Sequence, residues 1–236
     1  MVFPAQGKVG RVIGFIDIGT NSIRLLLVRV HRNQSFNVLS QRKEVVRLGE
    51  GEFETGELQR EPMQRAVLVC RMFREMAESF GVKEIIAVAT SATRDARNQR
   101  KFLRTLKREA GLDVKVVSGL EEGRLIYLGV ASGIKIDELA FFIDIGGGST
   151  EVIVGGQHEY EYVDSLSLGA IRLTNQFLKN HKGPVSQEMY SRIQNYIRDS
   201  AIRAIQELKK YNLSMAVGSS GTIENLADIA ILAATG

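Results

Sequence analysis

The stretch FIDIGTNS at residues 15–22 returns as FIDIGGGS at residues 142–149. Six of the eight positions are identical, and the copies start 127 residues apart (142 minus 15). In each copy an apolar strand ends in Asp, one apolar residue and Gly, and a turn of small polar residues then closes on Ser. A chain written this way has to fold two equivalent hairpins. Glycines and small side chains let backbone N–H groups approach phosphate oxygens, and Ser, Thr and Asn add donors. An aspartate closing a buried strand needs a cation, a set of donors or water. The structural alternative is two ordinary turns whose aspartates cap their own loops. Such turns have no reason to keep both Asp and Ser twice, so the expectation is two phosphate-binding hairpins facing each other across a cleft. In the second copy Glu151 follows Ser149 by two residues, which puts both on one face of the strand.

The rest of the chain suits a folded protein with a real core. Of 236 residues, 44% are apolar and 25% charged, a balance that argues against disorder. No apolar run approaches the ~20 residues that span a bilayer, and the N-terminus lacks the apolar segment of a secretory leader. No membrane association and a cytoplasmic location are therefore expected. The single cysteine, Cys70, lies in an apolar-periodic segment and reads as a buried small hydrophobe. Net charge is only +4, compatible with an anionic ligand without requiring one. Basic residues crowd into 93–111, either as a solvated helix face or as an approach for a polyanion. No recognition helix, aromatic platform or zinc-finger spacing supports nucleic acid, which is not expected as a partner.

Strands are expected over 12–18, 23–30, 36–47 and 84–89, with a helix from Pro62 to Gly81 between the last two. TSATRDA opens a helix running to Gly111, and DVKVVS is a further strand. A second round follows: a helix over 119–133, a strand pair over 139–145 and 151–156, and a third strand through 157–165. Ser186 caps a long helix with an apolar stripe of Tyr190, Ile193, Ile197, Ala201, Ile205 and Leu208. LSMAVGSSGT (213–222) reads as strand, glycine turn and helix start. This succession is an α/β layer structure. In SGLEEGRL (118–125), Ser118 and Glu121 form a capping box. Glu122 is left over, on a face shared with Leu125 and Gly129 that is expected to look inward, or else it stays solvated at the helix N-terminus.

These residues resemble the exopolyphosphatase/guanosine pentaphosphate phosphatase family, within the actin-like, sugar-kinase and Hsp70 ATPase fold. The matching stretches are IDIGTNSIRLLL (16–27), VATSATRDARN (88–98), SGLEEGRLIYLGV (118–130), FIDIGGGSTEVIVG (142–155), SLSLGAIRLT (165–174) and AVGSSGTIENLA (216–227). The resemblance implies two RNase H-like domains facing a cleft, expected at 1–128 and 129–236, the second one truncated at its C-terminus. It implies a first phosphate loop of Gly19, Thr20, Asn21 and Ser22 and a second of Gly146, Gly147, Gly148 and Ser149. A third would hold Gly218, Ser219, Gly221 and Thr222. Arg94 would grip phosphate, Glu122 and Glu151 would be the catalytic carboxylates, and Asp144, with Asp17, would hold Mg²⁺ or Mn²⁺. Arg172 matches a recurring arginine.

The implied activity is release of terminal orthophosphate from inorganic polyphosphate. The alternatives are hydrolysis of guanosine pentaphosphate and a polyphosphate- or alarmone-binding module without catalysis. Family members continue well beyond GTIENLA, so an apolar surface is expected at 223–234, either exposed or covered by a partner chain, as in a homodimer.

Overall fold

Two sheets built on one plan organise the chain. The computed structural model describes residues 10–33, 35–179 and 181–235. The N-terminal MVFPAQGKV, read above as lacking leader character, lies outside the described residues. The first sheet has the order β3-β2-β1-β4-β5, from β1 (Arg11–Ile18), β2 (Ser22–Val30), β3 (Phe36–Val45), β4 (Glu84–Ala89) and β5 (Val114–Val116). The second has the order β8-β7-β6-β9, from β6 (Ala140–Ile145), β7 (Thr150–Gly155), β8 (Tyr160–Leu166) and β9 (Met215–Ser219). In each sheet the hairpin strand pairs antiparallel with its successor and parallel with a later strand, β1 with β4 and β6 with β9. The duplicated sequence is thus a duplicated topology. The family fold follows: α/β, two RNase H-like halves facing a cleft.

The first half carries the larger core. Ile16, Ile18, Ile23, Leu25 and Leu27 of the hairpin pack on Ala66, Cys70, Phe73 and Ala77 of α2 (Arg60–Ser79). Cys70 is fully buried in this face, as expected of a small hydrophobe. A short helix, α1 (Glu52–Thr55), precedes α2. The single helix expected from TSATRDA to Gly111 is instead broken into α3 (Ser91–Asp95), α4 (Gln99–Thr105) and a π-helical turn at 106–110. Ala96 is extended (φ −72°, ψ 129°) between α3 and α4, and Asn98 spends its side chain on the Leu58 backbone rather than on a helix. The basic residues Arg97, Arg100, Lys101 and Arg104 of this region face solvent.

α5 (Gly119–Ala131) starts at the Ser118 cap, whose Oγ accepts from Glu121 N at 3.2 Å. The glutamate turns instead to Arg124. Tyr127 and Ala131 pack with Phe142 and Ile153, so α5 belongs with the second sheet; a boundary at 128/129 cuts through this helix. α6 (Ala170–Phe177), α7 (Gln187–Leu208) and α8 (Ser220–Thr235) complete the second half. Ser186 caps α7 as expected, through Met189 N. The α7 stripe is only partly covered: Tyr190 and Ile205 are exposed, and the helix's one buried residue, Ala204, lies outside it. α8 buries no residue and presents Leu226, Ile229, Ile231 and Leu232 to solvent, the apolar surface anticipated at 223–234. Among the described residues, no helix is long and apolar enough to cross a membrane.

Candidate active site

Both hairpin turns close with the same bond. Gly19 N donates to Ser22 O at 3.0 Å, and Gly146 N donates to Ser149 O at 3.0 Å. Behind each turn, loop carbonyls are taken by the chain that follows. Val46 N and Arg47 N bond Asn21 O, and Gly49 N bonds Thr20 O; Ala170 N bonds Gly146 O, while Ile171 N and Arg172 N bond Gly147 O. The N–H groups of Thr20, Asn21, Gly147 and Gly148 find no protein acceptor among the described residues. With carbonyls occupied from behind, these donors remain for a ligand.

The turns line opposite walls of a cleft of about 480 Å³. Asp17, Gly19, Thr20, Asn21 and Ser22 stand on one wall. Glu122, Asp144 and the run Gly146–Ser149 stand on the other, and Gly221 and Thr222 also line the cleft. The loops nearly touch. A Cβ on Gly148 would come within 2.4 Å of Ser91 Oγ and 2.7 Å of Thr20 Oγ1. The glycine at 148 is therefore required by the close approach of the first half, besides any approach of phosphate.

Asp17, Glu122 and Asp144 line the cleft, with Glu151 buried behind them, and burial raises the pKa of Asp17, Glu122 and Glu151. Glu122 is pushed up chiefly by desolvation, which outweighs the hydrogen bond and charge of Arg94; Asp17 and Asp144 push it further. Asp17 is raised by burial, with Arg24 opposing and Asp144 reinforcing. Glu151 is almost wholly buried and pushed up to about 8, by desolvation first and by Glu122 second. Hydrogen bonds from Ser165 and Ser149 hold it lower than burial alone would, and Ser149 and Glu151 do share a face. Ser165 Oγ donates to Glu151 Oε1 at 2.7 Å, and Ser219 Oγ donates to Asp144 Oδ2 at 2.6 Å. Such clustering of like charges is unfavourable for stability and is a mark of functional sites.

Four expectations need correction. Arg94 is not free to grip a ligand with its whole fork: Nη1 donates to Glu122 Oε2 at 2.9 Å and to Val117 O at 3.1 Å. The α5 face that carries Glu122, Leu125 and Gly129 does not look into the core. Glu122, Leu125 and Ile126 line the cleft, while Gly123 and Tyr127 face inward, because the helix packs on β7 and β8 through that side. Gly218 lies inside β9 beside Ile223, and Ser219 reaches the site only through Asp144; Gly221 and Thr222 are the cleft members of this segment. No glycine turn follows β9 either, since the strand passes straight into α8 through Ser220 at φ 74°.

Other cleft residues escaped the sequence reading: Arg24, Lys43, Thr90, Ser91, Glu224 and Asn225. Arg24 had a signal. It pairs with Asp17 across the first hairpin as Glu151 pairs with Asp144 across the second. Lys43 pairs in turn with Arg24 from β3, a register invisible in the sequence.

Among the described residues, no group of three His, Cys, Asp or Glu side chains stands close enough to hold a metal ion unaided. The hard oxygen donors that do converge suit Mg²⁺, which takes one or two carboxylates and completes its shell with water and substrate oxygens.

A two-lobed cleft with paired amide-lined loops and a carboxylate cluster defines a phosphate-handling protein of the actin-like fold. The chain belongs to the Ppx/GppA phosphatase family, which matches residues 27–235. A Haemophilus influenzae protein assigned by inference as an exopolyphosphatase is 33% identical over 228 residues, covering 95% of this chain and 68% of the relative. The crystal structure of an exopolyphosphatase from Cytophaga hutchinsonii superposes with a TM-score of 0.89 at 29% identity, over 95% of this chain and 72% of that one. An Aquifex aeolicus PPX-GPPA enzyme gives a TM-score of 0.74 at 32% identity, over 93% of this chain and 71% of the other. The chemistry of the chain is phosphoanhydride hydrolysis.

Proposed function

We propose that this protein releases terminal orthophosphate from inorganic polyphosphate by in-line attack of water. The observation that carries the reading is the convergence of Glu122, Asp17 and Asp144 between two loops in which the N–H groups of Thr20, Asn21, Gly147 and Gly148 lack protein acceptors among the described residues. Phosphoryl transfer depends on positioning and charge neutralisation more than on covalent help, and the paired loops supply both.

Glu122 orients and deprotonates the attacking water. Its raised pKa makes it a stronger base than an ordinary carboxylate, and Arg94 fixes its orientation. Glu151, buried behind it, holds a proton near neutral pH and limits the charge Glu122 faces. Asp144 and Asp17 would hold Mg²⁺ or Mn²⁺, which when bound neutralises phosphate oxygens. Arg24 and Lys43 add two cations to the wall along which an anionic chain would lie. Guanosine pentaphosphate is the second reading, favoured by Glu224 and Asn225 in the cleft lining. They offer an acceptor and an amide that a bare phosphate chain does not need.

Phosphate release from long-chain polyphosphate and from guanosine pentaphosphate, with and without Mg²⁺, separates the two. Glu122→Gln is expected to bind substrate as the parent does and to lose on the order of 10²–10⁴-fold in release. Release at the parent rate would refute the assignment of the base.

A further inference from the structure

α6 faces the first half with one polar stripe, Arg172, Asn175 and Lys179, at the spacing of a helix edge and its exit. Asn175 Nδ2 donates to Gly49 O at 3.1 Å, and Lys179 pairs with Glu54. Arg172 does more. Its Nε donates to Gly148 O at 2.6 Å, its Nη2 reaches Ser91 Oγ at 3.3 Å and pairs with Asp95, and its guanidinium lies 4.0 Å over the Phe53 ring. One side chain of the second half thus grips the second phosphate loop and three residues of the first half.

Asp95 is the neighbour of Arg94 in α3, and the two residues make ion pairs in opposite senses across the halves. Arg94 pairs with Glu122, and Asp95 pairs with Arg172. Asp95 Oδ1 also stands 3.8 Å from Arg94 Nε. The side chains Glu122, Arg94, Asp95 and Arg172 therefore form a single run of alternating charge that ends on Gly148. We propose that Arg172 is a positioning residue with two separable jobs. Through Nε it fixes the second phosphate loop. Through Nη2 it satisfies Asp95, so that Asp95 does not draw Arg94 away from Glu122. The inference deepens the hydrolytic reading above and rests on it for its kinetic consequences, although the geometry stands apart from them.

The two jobs make opposite predictions for a second substitution. In Arg172→Gln, KM for polyphosphate rises because the loop loses its anchor. At the same time kcat falls by roughly 10–100-fold, the scale expected when a catalytic group is displaced by about an ångström. Adding Asp95→Asn removes the competitor for Arg94. The double variant is expected to recover most of kcat while KM stays raised, an outcome that general loosening of the interface does not produce. Crystal structures of both variants read the same point without substrate: Arg94 on Asp95 in the single variant, and back on Glu122 in the double. If Arg94 remains on Glu122 in Arg172→Gln, or if Asp95→Asn restores no kcat, the proposal fails. A parent protein that releases phosphate from neither substrate would refute the proposed function; the Arg94 positions in the two crystals would still decide this one. Should Arg172→Gln not fold, Arg172→Lys, which keeps one donor and the charge, is expected to hold either Gly148 or Asp95. It would then lose KM or kcat alone; loss of neither overturns the proposal.

Discussion

Glu151 lies directly across the second hairpin from Asp144, at the position where Arg24 meets Asp17 in the first. Two copies of one hairpin thus carry a cation in one and a carboxyl group in the other at an equivalent site. Like charges facing each other on neighbouring strands are destabilising, and opposite charges are favourable. The first copy keeps the stable arrangement and lines its wall with a cation. The second gives up stability to concentrate acid behind Glu122.

That sacrifice has a pH signature. Glu151 titrates at about 8 in the folded protein, above its ordinary 4.5, so the native state holds a proton that the unfolded chain releases between those values. Its contribution is complete below about 4.5 and is lost as pH rises to about 8. Glu151→Gln cannot ionise. Relative to this variant, the parent's melting temperature is expected to fall between pH 5 and pH 8.5, by roughly 2–4 °C for each kcal/mol lost. A constant difference across that range would mean that the carboxyl is not proton-bound in the native state.

Glu52 makes a similar but narrower case. It is buried at the start of α1 with Oε2 unpartnered, and desolvation, then Asp95, push it up to about 7 against the pull of Arg172. The same sign applies, with the loss ending near pH 7. Glu52→Gln is expected to match the parent's melting temperature at pH 4 and to exceed it at pH 8. Thermal scans at the two values check this.

The glycine loop offers a graded steric test. A Cβ on Gly148 would meet Ser91 Oγ at 2.4 Å, Thr20 Oγ1 at 2.7 Å and Phe53 at 2.9 Å; on Gly147 the nearest atoms are Thr20 Cβ at 3.1 Å and Thr20 Cγ2 at 3.2 Å. Gly148→Ala should therefore force the halves apart and cost about 1–3 kcal/mol, the usual range for overpacking. Gly147→Ala should cost clearly less. Denaturant midpoints for the two variants give the comparison, and equal losses would count against the tight seam.

Metal dependence is expected if Asp144 and Asp17 hold Mg²⁺ as proposed. With no three His, Cys, Asp or Glu side chains grouped among the described residues, the ion is expected to bind weakly without substrate and to leave readily. Chelation should abolish phosphate release, and added Mg²⁺ should restore it. Asp144→Asn should raise the Mg²⁺ concentration at half-maximal rate. Ser219→Ala, which removes only the donor to Asp144 Oδ2, should have a smaller effect in the same direction.

Legibility in the sequence tracked locality. The repeated hairpin revealed the duplicated topology because identity, strand alternation and turn chemistry all lie within eight residues. The Ser118 and Ser186 caps were equally local. What stayed hidden depends on pairing at long range. Lys43 enters the cleft only through the β2–β3 register, and Ser165 reaches Glu151 only because β8 lies beside β7. The expected burial of the Leu125–Gly129 face of α5 failed because periodicity distinguishes two faces of a helix without saying which meets a sheet and which meets a cleft. Gly218 looked like part of a loop because Gly-Ser-Ser-Gly is turn chemistry, yet pairing with Ile143 draws it into β9.

Arg94 is where that long-range pairing bears most directly on activity. The sequence suggests a phosphate clamp; in the fold its Nη1 is committed to Glu122 and Val117. Its hydrogen bond and charge hold down the pKa of Glu122 against the upward push of burial, Asp17 and Asp144. Arg94→Met would remove that restraint, so Glu122 would keep its proton to higher pH. The acid limb of the kcat profile should then shift upward, and the loss of rate should be larger at pH 6 than at pH 8.5. A side chain that only gripped phosphate would raise KM at every pH and leave the limb in place. Measuring kcat and KM from pH 5.5 to 9 distinguishes the two roles, and an unmoved limb would remove Arg94 from the base and return it to the substrate.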